Sequence, residues 1–481
     1  MREAKQICTC FFTLAPERGR ILACRPMSPA ARYAQLLASA RIRERPLFPL
    51  PPHYNELELQ ARWFAGDFGK VFTGTAEEGI EIVQFGTWNR EAGPDFSDAA
   101  IRINRAPVVH GSIEFDLADQ NWETHGHATN PAFEQTILHV FVESGGKDFF
   151  TRTTTNRRVP QVRVDPTMLP AGFSSNLPLA RPGRCHAPLR NLAEEKISSI
   201  LEAAAEFRLQ RKSQRLQRLT ELHGADEALF QELAAALGYK ENKLPFTLLA
   251  QRLSLASLRS RANEIEALLF GLAGFLAAPD LGAFDPGTRQ YLRALWETWW
   301  PRRADLARLI LPPRTWQLSG TRPLNHPQRR LAALAGLVQA WPKLLRSLGK
   351  DDLGSVRKFF RDLAHPYWSF HYTLTSERAA AEMALVGETR ITEIMANVIV
   401  PLHLGRGRKI WPEYASLPAR LTNRRIETGA ARLFGDDPRR PGFLRTVARQ
   451  QGLLQIYEDF CLQDESDCAQ CPFPEQMQKW T

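Results

Sequence analysis

Residues 93–117, GPDFSDAAIRINRAPVVHGSIEFDL, decide how this chain is read. Two runs rich in apolar and β-branched residues, 96–103 and 108–117, flank Asn104-Arg105-Ala106-Pro107, whose residue types favour a turn, so the stretch predicts a β-hairpin. With the turn centred between Arg105 and Ala106, Asp95 lies opposite Asp116 and Ser97 opposite Glu114. Opposed residues share a face, and so do residues two apart, which turns Asp95, Glu114 and Asp116 to one side. Three carboxylates at such range repel one another unless a proton or a cation lies among them, and their oxygens suit a hard ion such as Mg²⁺. The register is the sensitive point: a one-residue slip, or a bulge near Gly111, sends Glu114 to the other face, and Ile101 and Ile103 sit awkwardly on the carboxylate side. Surface carboxylates on an ordinary hairpin are the alternative reading of the same residues.

Working outward, NELELQARWF (55–64) suggests a helix and GIEIVQFGTW (79–88) a strand. Beyond the hairpin, Asn130-Pro131 supplies an N-cap and a first-turn proline for a short helix over 127–135, and ILHVFVE (137–143) is a strand. The order is helix, three strands, helix, strand, with VPQVRVD (159–165) as a further strand extending the sheet. Pro166, Pro170, Gly172, Pro178, Pro182 and Gly183 then mark a boundary. From Asn191 apolar residues recur at helical spacing, first at Ile197, Ile200, Leu201 and Ala204, later in 226–237, 264–277, 328–346, 355–364 and 378–400. The expected organisation is an N-terminal extension and Pro-rich linker over 1–53, an α/β domain over 54–180, an all-α region over 190–460 and a cysteine-bearing tail over 461–481. Within the extension, Met27-Ser28-Pro29 reads as an alternative start.

Pro94-Asp95, then Glu114-x-Asp116 on the next strand, resembles the PD-(D/E)XK nuclease core, whose order of elements is the one just read. The wider pattern is similar to a bacterial domain-of-unknown-function family, number 2851: Gly86-x-x-Asn89 before GPDF, then GSIEF, Trp122, His125-x-His127 and ILHVF (137–141). That similarity continues through GYKENKLPFTLLAQ (238–251), IEALLFGLAGFL (265–276), RPLNHPQRRLAALA (322–335) and ITEIMANVIVPL (391–402). The nuclease resemblance implies a restriction-endonuclease-like mixed sheet flanked by helices, and a Mg²⁺- or Mn²⁺-dependent nuclease or phosphodiesterase acting on DNA or RNA. It implies that Asp95 and Glu114 hold the ion, with the Phe115 carbonyl and Glu56 or Glu58 completing the site. Asp116 departs from the pattern, standing where a lysine helps activate water; His125 or His127 replaces that lysine or binds metal if the chain folds back after Trp122. His139, inside a strand, reads as a core histidine. A non-catalytic module that kept the sheet and binds nucleic acid or protein is the competing expectation.

A net charge of +10, from 62 Lys+Arg against 52 Asp+Glu, favours polyanionic partners such as nucleic acid. Arg208, Arg211, Lys212, Arg215 and Arg218 fall on one side of a helix, as a phosphate-binding stripe or a solvated face. Trp296, Trp299 and Trp300 read as anchors of helix packing rather than base-stacking platforms. The sequence lacks an apolar run of about eighteen residues, the length a membrane span needs, and seven cysteines in so long a chain suit a reducing compartment, so a cytoplasmic location is expected. Cys461, Cys468 and Cys471 precede Pro472 in metal-binding spacing and leave a fourth position, for which Cys185 is the remaining thiol beyond the extension. Together they predict a [4Fe–4S] cluster or a Zn²⁺ site, similar to that of iron–sulfur nucleases, whose lone cysteine, however, precedes the core.

Overall fold

The computed structural model describes residues 27–40, 55–89, 93–145, 149–166, 169, 185, 187–276, 284–319, 321–350, 352–419, 423–462 and 471–480; most of the extension, the Pro-rich linker and Cys468 lie outside them. A mixed sheet precedes a large helical region. Helix α1 (Pro29–Ala40) is followed by α2 (Glu56–Phe64), where Asn55 caps the first turn by accepting from the Leu57 N–H. Trp63 of α2 packs against Phe72, Phe85 and Phe115. Then come β1 (Val71–Thr73), β2 (Gly79–Gln84), β3 (Thr87–Trp88), β4 (Phe96–Ile103), β5 (Val109–Ala118), the single turn α3 (Asn121–Thr124) and β6 (Thr136–Glu143). β7 (Thr151–Arg152) and β8 (Arg158–Val159) form a separate ribbon, while β9 (Gln161–Arg163) rejoins the sheet as expected of VPQVRVD. Strand order is β1-β2-β4-β5-β6-β9, with β3 beside β4. Pairing is antiparallel as far as β5 and parallel from β5 through β6 to β9. β6 lies between two parallel neighbours and is buried along most of its length, which accounts for its nearly unbroken apolar run.

The hairpin forms, with a different register. Asn104 and Arg105 both take positive φ, 48° and 63°, and the Ala106 N–H donates to the Ile103 carbonyl at 2.8 Å, so the turn is centred one position earlier than the sequence suggested. Asn104 is suited to this place because its Oδ1 also accepts from the Gly79 N–H at 2.8 Å, tying the turn to β2. Near the turn Ile101 pairs with Val109 and Ala99 with Gly111, a one-residue slip from the expected register. Between Ala99 and Phe96 the register shifts again by one extra residue in β4, where Asp98 sits at φ 53°, and Phe96 pairs with Ile113. The slip and the bulge cancel in parity. Carried one step further, the register puts Asp95 opposite Glu114 rather than Asp116, and the three carboxylates keep a common face. The bulge also moves Ile101 to the side of Phe96 and Ile113, which removes the awkward isoleucine. At Gly111 a Cβ would lie 2.3 Å from the Gln135 carbonyl oxygen, so glycine is what lets the chain entering β6 close on β5.

The helix expected over 127–135 is instead two 3₁₀ turns, His127–Thr129 and Pro131–Phe133, with Asn130 capping the second through the Ala132 N–H. Packing also divides the chain differently from the sequence reading: one compact unit holds 49–176 with 215–399, and another gathers 1–48, 177–214 and 400–481. One of the divisions between the units falls within the proline-rich stretch that begins at Pro166. Helix α4 (Glu194–His223) supplies residues to both units, up to Gln214 and from Arg215 onward. In the sheet-bearing unit, α5 (Ala225–Leu237) packs on α6 (Lys243–Arg252), and α6 lies against α2 and β3. Gln251 Nε2 donates to the Ala61 carbonyl at 3.0 Å, fastening α6 to α2. Trp299 is buried as a packing anchor, while Trp296 stacks on the half-exposed Trp300 at 4.5 Å. The second unit is built around Tyr33, Ile197, Ile200, Leu453, Ile456 and Phe473. Among the described residues no helix is long and apolar enough to cross a membrane.

Candidate metal centre

Asn89 prepares the site. Its backbone N–H donates to the Asp95 carbonyl and its Nδ2 to the Pro94 carbonyl, both at 2.9 Å, which holds the Pro94-Asp95 turn against the end of β3. From there the Asp95 N–H donates to Glu114 Oε2 at 2.9 Å, and Asp95 Oδ2 accepts from the Phe115 N–H at 3.1 Å. Gln60 of α2 donates through Nε2 to Asp95 Oδ2 at 2.9 Å and to Glu56 Oε1 at 3.3 Å. Glu58 pairs with Arg62 at 3.6 Å, so Glu56 is the acid of α2 that joins this network.

Past β5 the chain does fold back. The His125 N–H closes α3 on the Asn121 carbonyl at 2.7 Å, and Gly126, at φ 75°, reverses direction. His125 Nδ1 reaches 3.3 Å from Asp116 Oδ1, and His127 Nε2 lies 3.2 Å from Glu114 Oε1. From β6, His139 Nε2 lies 3.3 Å from Asp116 Oδ2. Buried Trp122 supports this arrangement: its indole N–H donates to the Arg152 carbonyl at 2.9 Å, and its ring lies 5.4 Å from His127 and 5.2 Å from His139. Phe133 stacks on His127 at 3.9 Å and also meets the Trp122 ring at 5.6 Å. His139 Nδ1 is held at 2.6 Å by Thr151 Oγ1, which in turn accepts from Gln161 Nε2 at 3.0 Å.

One ligand-capable atom from each of Asp116, His125 and His127 lies within 4.8 Å of the other two, the one such set of three or more among the described residues. Asp116 Oδ2, both ring nitrogens of His127 and His139 Nε2 are buried and make no hydrogen bond. Buried polar atoms are normally paired, and an unpaired group needs a reason. Here ligand-capable atoms of Asp116, His125 and His127 are gathered within reach of a single ion. Burial, then the neighbouring Glu114, raises Asp95 well above the usual carboxylate range. Burial and Asp116 push Glu114 up to about 8 and raise Glu56 as well. Burial lowers His127 against the pull of Asp116, so its imidazole is neutral at neutral pH. Arg252 of α6, brought down to about 10 by burial, is held up by the charge of Asp95.

The structure thus brings Asp95, Glu114, Asp116, His125 and His127 into one region, where the sequence reading assigned the ion to Asp95 and Glu114. The tightest ligand set is one step along, at Asp116 with His125 and His127, and the expected core histidine His139 also touches Asp116. Gln60, Thr151 and Arg252 escaped it; only the i+4 spacing of Gln60 from Glu56 was a sequence signal.

The basic stripe is largely engaged inside the protein. Arg208 donates to Glu458 through Nη1 and Nη2 at 2.6 and 3.1 Å and to Gln451 and Gln455, and Lys212 donates to Gln451 at 2.7 Å. Arg215 pairs with Glu232, and Arg218 donates to the Gly66 carbonyl at 3.0 Å. Arg211 alone of the five is exposed, near the Phe207 ring. These partners are remote in sequence and engage four of the five side chains within the protein. Cys185 donates to the Arg432 carbonyl at 3.0 Å, Cys461 sits in a π-helical turn and Cys471 packs on the apolar core; these three sulfurs do not form a ligand set, and Cys468 lies outside the described residues.

No curated protein and no solved structure compared with the chain matches it. The model of the family described as protein of unknown function, DUF2851, matches residues 56–415, from α2 through the carboxylates, the histidines and most of the helical region, and the chain belongs to that family.

Proposed function

We propose that the protein is a divalent-metal-dependent phosphodiesterase acting on nucleic acid, with Asp116, His125 and His127 as the metal ligands. The observation that carries this reading is the convergence of ligand atoms of Asp116, His125 and His127 within 4.8 Å of one another, with buried atoms of Asp116 and His127 left without hydrogen bonds. A mixed imidazole and carboxylate set suits Mn²⁺ or Zn²⁺ better than Mg²⁺, for which oxygen ligands are preferred. A bound ion supplies an activated water at neutral pH and offsets charge on the scissile phosphate. The chain's own residues do the rest. Glu114 gives up its proton to make room for positive charge, Asp95 beside it is raised by the same burial, and Thr151 fixes the His139 ring against Asp116. Arg252 stands beside Asp95 as a cation in a site without the usual lysine. A phosphodiester substrate is supported by the PD-(D/E)XK resemblance of Asp95 and Glu114 and by the net charge of +10.

The test is cleavage of single- and double-stranded DNA and RNA by the purified protein with Mn²⁺, Zn²⁺ or Mg²⁺. Cleavage should vanish in Asp116→Asn and His127→Ala while the circular dichroism spectrum is unchanged. Failure to cut any of these substrates with metal demonstrably bound returns the protein to the class of binding modules. Cleavage undiminished in Asp116→Asn identifies a contaminant.

A further inference from the structure

Three stretches that the proposed function does not use, 238–251, 322–335 and 388–394, come together in the helical part of the sheet-bearing unit around buried arginines. Arg329, Arg330 and Arg390 are 0%, 3% and 6% exposed. Arg329 is structural: Nη1 and Nη2 hold the carbonyls of Trp368, His371, Met383 and Ala384. The other two are less completely engaged. Arg330 donates through Nη1 to the Leu385 carbonyl and through Nη2 to Asn325 Oδ1, both at 2.7 Å, leaving Nε unbonded. Arg390 turns Nη1 to the Ala236 carbonyl at 3.1 Å and to Glu393 at 2.6 Å, but its Nε and Nη2 are buried with no hydrogen-bond partner.

That open pair is the edge of a guanidinium that grips an oxyanion with two parallel bonds. Elsewhere in this protein the same Nε and Nη2 edge of Arg302 takes both oxygens of Glu264, at 3.0 and 2.9 Å. Tyr239 stands between the two arginines, its ring centre 3.0 Å from Arg390 Cζ and 5.6 Å from Arg330 Cζ. The placement is strained: Tyr239 holds φ 61°, a left-handed conformation that bulky residues avoid, directly after α5. Glu393, the acid paired with Arg390, is 44% exposed, so the buried cations of Arg330 and Arg390 share one partly solvated carboxylate. Buried charge without compensation is expensive, and it is relieved by an anion. Burial, with Arg390 and Arg329 nearby, accordingly brings Arg330 down to about 10. The cluster is not sealed, because Tyr239, Asn325 and His326 at its rim are only partly buried, and His326 Nδ1 also lacks a hydrogen-bond partner.

We propose that Arg330 and Arg390 form a seat for a phosphate group, gripped by the Nε and Nη2 edge of Arg390 and the Nε of Arg330, with Tyr239, Asn325 and His326 at its mouth. A tetrahedral dianion matches two guanidiniums better than a carboxylate or chloride does. The experiment is calorimetric titration of the full-length protein in EDTA, which keeps the metal centre out of the measurement. The probes are inorganic phosphate, a nucleoside 5′-monophosphate, and a short oligonucleotide with a 5′-phosphate or a 5′-hydroxyl. Phosphate should bind and raise the melting temperature beyond the effect of chloride at equal ionic strength. A preference for the monophosphate and the 5′-phosphorylated oligonucleotide assigns the seat to a nucleotide end, and a preference for inorganic phosphate assigns it to the free ion. Arg390→Gln, and Arg390→Lys, which keeps the charge and loses the fork, should each weaken binding by roughly ten- to a hundredfold, as loss of charge-assisted hydrogen bonds predicts. No phosphate-specific shift in the parent protein overturns the proposal whatever the variants do, and so does undiminished binding in either variant that melts like the parent.

Discussion

The acids and histidines beside β5 and the cations of α4 are both dense in charge, and they differ in how that charge is completed. Along α4, Arg208 meets Glu458, Arg215 meets Glu232 and Arg218 meets a carbonyl, so the side chains that looked like a ligand-binding row hold helices together. Beside β5, His127 and His139 approach carboxylates at 3.2 and 3.3 Å without hydrogen bonds, and burial raises Asp95 and Glu114 above the usual carboxylate range. Charge density alone does not mark a site. Charge that the fold leaves incomplete does, and the contrast can be tested from both sides.

The largest effect belongs to Glu114. Its carboxyl titrates near 8 in the folded protein against an ordinary value of 4.5. The folded state therefore keeps a proton that the unfolded chain releases first, and stability is fully present below about pH 4.5 and lost as pH rises toward about 8. Denaturant melts of the metal-free protein should show a fall on the order of a few kcal/mol across that window. Saturating Mn²⁺ or Zn²⁺ should flatten it, because the ion takes the place of the proton. A metal-free curve flat from pH 5 to 8 would show Glu114 to be ordinary and the two regions alike.

Next is Arg208→Ala. It strips Glu458 of its partner and should cost about 2 kcal/mol in urea denaturation, with no change in oligonucleotide affinity or its salt dependence. A loss of affinity without loss of stability would reopen the phosphate-binding reading. Thr151→Val removes the hydroxyl that fixes the His139 ring and should weaken metal binding about tenfold while leaving the melting curve near that of the parent. The smallest effect is that of exposed Arg211→Gln, expected within about 0.5 kcal/mol of the parent by the same denaturation.

What was legible in the sequence follows the range of the interactions. The common face of Asp95, Glu114 and Asp116 depends only on strand parity, and it survived because the one-residue slip at Asn104-Arg105 and the bulge at Asp98 compensate. Neither change was visible alone, since a positive φ at Arg105 or Asp98 reflects the pull of neighbouring strands more than residue type. His125 and His127 were legible as candidates through their spacing after Trp122. That His139 would meet Asp116 required the parallel pairing of β5 with β6, a contact between segments with no shared pattern. The α4 row was read as one side of a helix, solvated or phosphate-binding; that Glu458 and Glu232 meet it is visible only in the folded chain. Helical period begins near Asn191, and that pattern carries no sign that α6 packs against α2 and β3.

The central claim is that Asp116, His125 and His127 hold a metal ion. Isothermal titration of the full-length protein with Mn²⁺ or Zn²⁺ tests it most directly, with the parent compared against Asp116→Asn and His127→Ala, each checked for an unchanged fold. The account predicts one ion per chain in the parent at neutral pH, with protons released on binding, and a loss of about a hundredfold or more in affinity in either variant. Binding of one ion with parental affinity in both variants would contradict it.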